Sequence, residues 1–138
     1  MKTVIPLWLT MLIALAWAGC ATGPHSPWTT HAQGDAISLT NAHYPTNYGK
    51  VFLTECSISG SRPAERIAKV DATMVTDEPT EAVLNLLADT ARSVGANAVV
   101  ELKVWRKGVG FSWKSPQASG IAVLADTNCF QGLNGYWR

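Results

Sequence analysis

Between Lys50 and Asp126 the hydrophobic period of the chain changes from two residues to 3.6 and back again. In "KVFLTEC", Lys50 to Cys56, Val51 and Leu53 fall on one side and Phe52 and Thr54 on the other, which predicts a first strand. Gly60 and Pro63 break that pattern. "RIAKVDATMV" then alternates Ala68, Val70, Ala72 and Met74 with Lys69, Asp71 and Thr73, predicting a second strand with one buried side. In "TDEPTEAVLNLLADTARSVGAN" the apolar Val83, Leu84, Leu87, Ala91 and Val94 share one helical face, opposite Glu81, Asn85, Asp89 and Arg92. Asp77 or Glu78 is the expected cap and Pro79 suits the first turn. Glu81 favours the positive end of the helix dipole, and Gly95 supplies a left-handed stop.

The period of two resumes in "ANAVVELKVW", with Val100, Leu102 and Val104 on one face and Glu101, Lys103 and Trp105 on the other. "ASGIAVLAD" closes the series through Ile121, Val123 and Ala125. The stretch between, "RKGVGFSWKSPQ", carries two glycines and Pro116 and is expected to form a long exposed hairpin loop. The predicted class is α+β: a ββαββ domain over residues 50–129, one helix on a mainly antiparallel sheet, with 130–138 as a tail.

Ahead of the domain, Lys2 precedes an apolar run from Val4 to Ala18, the layout of a secretory signal in residues 1–19. The run falls short of the ~20 apolar residues a membrane-crossing helix needs. Ala16-Trp17-Ala18-Gly19-Cys20 resembles the bacterial lipobox, which implies a diacylglyceryl thioether and an N-acyl chain, such as palmitate, on Cys20. More than one chain is what stable anchoring requires. Ala21 stands where an acidic residue would resemble an inner-membrane retention signal, so the expected address is the outer membrane, with the domain facing the periplasm or the cell surface. Residues 20–49 lack a hydrophobic period and are rich in Gly, Pro, Ser, Thr and Asn, and so read as a lipidated tether with a span of about 30 Å. His25, His31 and His43 all fall there, at spacings that match no zinc motif.

Cleavage before Cys20 leaves 119 of the 138 residues, with ten basic and ten acidic side chains once Lys2 is gone. That balance gives no electrostatic case for nucleic acid. The sequence has no nucleophile elbow, phosphate loop, HExxH or Cys-x-x-Cys, which argues for a non-catalytic protein without cofactor or resident metal. Cys56 and Cys129, an even pair in an oxidising compartment, are expected to form a disulfide. The candidate partner-binding residues are Trp105, Arg106, Lys107, Phe111, Trp113 and Lys114. Trp and Arg are frequent at interface hot spots, and the same mixture suits a membrane headgroup layer. A cross-strand Trp105–Trp113 pair covering the open sheet face is the alternative.

At "ARSVGANAVVELKV" and "SGIAVLAD" the chain resembles the YbjQ-like, or heavy-metal-binding, family, and its ββαββ order behind a lipobox and linker is similar to RcsF-like outer-membrane lipoproteins. The resemblance implies an envelope sensor or interaction module with an envelope protein partner. It also implies, as alternatives, a self-assembling homo-oligomer or a metal or small-ligand binder.

Overall fold

The computed structural model describes residues 32–58, 63–75, 77–109 and 113–138. In chain order these form β1 (Gln33–Ser38), β2 (Phe52–Leu53), β3 (Ala64–Thr73), α1 (Thr80–Ser93), β4 (Ala98–Val109), β5 (Trp113–Ala125), a 3-10 turn (Thr127–Phe130) and β6 (Tyr136–Trp137). The strands make a six-stranded sheet in the order β1-β3-β5-β4-β2-β6. β3 and β4 are joined through α1 and run parallel, with β5 inserted antiparallel between them. β2 lies parallel to β4, and β1 and β6 close the two edges antiparallel to their neighbours. The class is α+β: one helix on a mixed, mostly antiparallel sheet.

The helical period does what it predicts. Val83, Leu84, Leu87, Ala88 and Ala91 are buried against Val70, Ala72, Val99 and Ala122 of the sheet, each contact removing apolar surface from water. Gly95 has φ +85°, the left-handed geometry that ends the helix, and a Cβ there would lie 2.5 Å from that of Tyr44. The start differs from expectation. Pro79 is the cap, with no side-chain cap bond, because Asp77 takes φ +64° in the preceding turn and donates its N–H to the Lys114 carbonyl at 3.0 Å. Asn97 sits where the turn meets the sheet and mimics a strand residue: Nδ2 donates to Ala125 O at 2.5 Å, while Oδ1 accepts from Ala125 N at 3.0 Å.

Four expectations change. Residues 33–49 are not tether: β1 pairs along its whole length with β3, Leu39 N–H donates to Ile67 O at 2.8 Å, and Asn47 N–H donates to Arg92 O at 2.9 Å. Tyr44 also donates to the Glu65 carboxylate, which pushes its phenol pKa up. Polar composition concealed an edge strand whose partner lies far along the chain. The tail 130–138 is likewise structural, since β6 pairs with β2 and Phe130 is buried.

The stretch 106–117 is largely hairpin strand, not loop, because β4 and β5 pair out to Val109↔Trp113. Finally, a bulge between Val100 and Lys103, with Glu101 at φ +55°, inserts a residue into β4 and reverses its alternation. Val100 therefore packs on the face away from α1, while Leu102 packs on the α1 side, not together as the simple period implies.

Candidate functional site

Strand alternation divides the sheet into an α1 face and a far face. One end of the far face is covered by residues that follow β5. Phe52, Ala98, Val100, Val123, Cys129 and Phe130 form its buried cluster, with Ile58, Ile121 and Leu133 around them. The Phe52 and Phe130 rings stack at 5.2 Å, and Trp137 closes over both at 5.1 and 5.9 Å.

At the other end the register sets two rows across four strands. Gln33, Thr73, Gln117 and Trp105 form one, and Asp35, Asp71, Ser119 and Lys103 form the next. Beyond the first row β4 and β5 continue as a two-stranded hairpin. Lys107 and Trp113 continue the far face there, by alternation from Trp105 and Gln117. Trp105 and Trp113 are 42% and 49% exposed, and among the described residues neither makes a ring contact of the kind found at the covered end. They are not a cross-strand pair, since Trp105 lies opposite Gln117 and Trp113 opposite Val109.

The hairpin is braced from behind. Met74 N–H donates to Pro116 O and Asp77 N–H to Lys114 O, both at 3.0 Å. Ser115 Oγ donates to Met74 O at 2.5 Å, and Arg106 Nη2 donates to Glu78 O at 3.1 Å. Of the sequence-selected residues, Trp105, Lys107 and Trp113 thus share one face. Arg106 is committed to the turn before α1, and Lys114 alternates to the α1 side. Phe111 and the lipidation candidate Cys20 lie outside the described residues. Lys103 was missed, although the period of two in "KVWRK" already places it with Trp105 and Lys107.

Electrostatics single out the same element. From Leu102 to Ala125 the chain has Lys103, Arg106, Lys107 and Lys114 and no acidic residue, in a protein whose formal net charge is +1. All four cationic side chains are exposed. The nearest carboxylates on this face are engaged: Asp71 with Lys69 Nζ at 3.5 Å, and Asp35 with Gln33 Nε2 at 2.9 Å.

A second feature is a cleft of about 380 Å³ at the β2–β6 edge, where Leu53, Thr54, Cys56, Leu102, Asn134 and Tyr136 are among the lining residues. Burial pushes the Tyr136 phenol up, with the Arg138 guanidinium acting in the opposite sense. The expected Cys56–Cys129 disulfide is not formed. The two thiols sit in different surroundings: Cys56 lines this edge cleft with Leu53 and Leu102, whereas Cys129 packs with Phe52 and Phe130 on the far face. Cys129 Sγ lies 3.6 Å from the Pro63 carbonyl, to which it donates. Among the described residues, no three His, Cys, Asp or Glu side chains converge as a metal site would need.

The architecture defines the class: among the described residues, one helix over a mixed six-stranded sheet, with a braced aromatic hairpin. No protein family and no curated protein matches the chain. Among solved structures it is similar to a Francisella virulence factor, FvfA, with a TM-score of 0.53 and 15% identity over 70% of this chain and 100% of that one. At that identity the likeness is one of fold.

Proposed function

We propose that this chain is a lipid-anchored, non-catalytic envelope module that works by surface contact. Cys20 carries the lipid at the outer membrane, the folded domain faces the periplasm or the cell surface, and the far face of the β4–β5 hairpin is the contact surface. The observation that carries this reading is the exposure of Trp105 and Trp113 on a hairpin held in place by four hydrogen bonds to residues 74–78. A solvated pair of tryptophans contributes little to folding, whereas at an interface Trp is the residue type that most often dominates binding. The lipobox-like Ala-Gly-Cys run and the resemblance to RcsF-like lipoproteins support the address. An envelope protein is the partner class that resemblance implies.

Two measurements test the proposal. Mass spectrometry of the mature protein is expected to find a triacylated Cys20; an unmodified amino terminus elsewhere would remove the anchor. Trp113→Ala is expected to weaken binding of the domain to isolated envelopes, whether through protein or lipid, while leaving the thermal midpoint in place, and unchanged binding would remove the contact surface. A second reading, self-assembly, is favoured by the fully exposed edge strand β1, whose outer side has no strand neighbour among the described residues. A monomeric mass at high concentration would dismiss it.

A further inference from the structure

We infer that the surface touched by this hairpin is the bilayer that carries the anchor, through its anionic phospholipid headgroups. The inference rests on the proposed anchor at Cys20 and the proposed contact face, and it specifies what that face meets.

The leash is short. Because β1 starts at Gln33, only residues 21–32 separate Cys20 from the sheet, twelve positions in place of the twenty-nine expected up to Gly49. Even fully extended, twelve residues reach no more than about 40 Å. The domain is therefore confined to the layer of solvent next to the membrane.

The point of attachment then sets which end of the sheet faces down. Gln33 lies in the same row as Thr73, Gln117 and Trp105, so the leash departs about 14 Å, three strand spacings, from Trp105. Past that row β4 and β5 extend by four paired residues each, Arg106–Val109 and Trp113–Pro116, or about 13 Å. The hairpin projects from the end of the domain to which the lipid is tied. The covered aromatic cluster lies toward the opposite end.

The chemistry of the projecting element matches that location. Its far face offers Lys103 and Lys107 flanking Trp105, with Trp113 beyond, and the segment contains no carboxylate to repel a phosphate. Tryptophan prefers the headgroup layer, where its ring is half desolvated and its indole N–H still finds an acceptor. Lysine stems lie along apolar surface while their ammonium groups reach outward. An anionic surface attracts such basic residues over roughly a Debye length.

The test uses the mature lipidated protein reconstituted into phosphatidylethanolamine vesicles, with and without phosphatidylglycerol. Trp28→Phe and Trp137→Phe leave Trp105 and Trp113 as the fluorescent reporters, and brominated lipids quench any indole in the headgroup region. Quenching is expected with phosphatidylglycerol, with a fall of about tenfold in the fraction quenched on raising salt from 0.05 to 0.5 M and an equal fall in Lys103→Glu/Lys107→Glu. The salt titration compares one protein with itself and needs no charge variant, so misfolding of Lys103→Glu/Lys107→Glu cannot mimic it. Absence of quenching, or quenching indifferent to salt and to phosphatidylglycerol, overturns the inference. If quenching is absent while a photocrosslinker at position 113 captures a protein in cells, the contact face stands and the bilayer is not its ligand. An unacylated Cys20 would defeat the underlying reading instead.

Discussion

At one end of the far sheet face, Phe52 and Phe130 are 4% and 5% exposed and lie under Trp137. At the other end, Trp105 and Trp113 are nearly half exposed. Both ends carry aromatic side chains, so residue type alone does not explain the contrast. What differs is the chain that follows. After Ala125 the backbone turns through Thr127–Phe130 and returns along β2, laying a cover over the near end, while nothing among the described residues covers the hairpin end. On the proposed reading, the covered rings serve stability and the exposed rings serve contact.

The sharpest way to break this comparison is to remove the cover. Phe130→Ala should destabilise the domain by about 3–5 kcal/mol, as the loss of a buried phenyl ring and the resulting cavity require. Urea unfolding would measure it, and a cost below about 1 kcal/mol would erase the distinction between the ends. Asn97→Ala should follow at about 1–3 kcal/mol, because it leaves the N–H and C=O of Ala125, at the covered end of β5, without their side-chain partner. Trp113→Ala at the bare end should shift stability by no more than about 0.5 kcal/mol while removing contact. The smallest effect belongs to reduction. Dithiothreitol should leave the unfolding midpoint unmoved, whereas a Cys56–Cys129 bond closing 73 positions would have contributed about 4 kcal/mol.

The helix and the strands around it were legible because their periods are local. Val83, Leu84, Leu87 and Ala91 repeat within two or three turns, and Ala68, Val70 and Ala72 alternate without interruption. Gly95 was legible for the same reason, since its positive φ acts within the turn. What escaped depends on distant pairing. β1 is a polar edge strand that no period marks, and only β3, some thirty residues on, makes it a strand. The bulge at Glu101 exists because Glu101 N–H and Leu102 N–H donate to Cys56 O and Thr54 O across the sheet. The disulfide was inferred from compartment and parity alone, which carry no geometry. Of the candidate contact residues, Trp105, Lys107 and Trp113 share one face, a grouping that comes from the strand register and not from the sequence alone.

The central claim, that the bare end is the working surface, is tested most directly by photocrosslinking in living cells. A benzophenone side chain is placed in turn at Trp105, at Trp113 and at Asn85 on the exposed side of α1. The account predicts adducts, lipid or protein, from positions 105 and 113 and none from 85. Equal labelling at all three, or labelling confined to position 85, would contradict it.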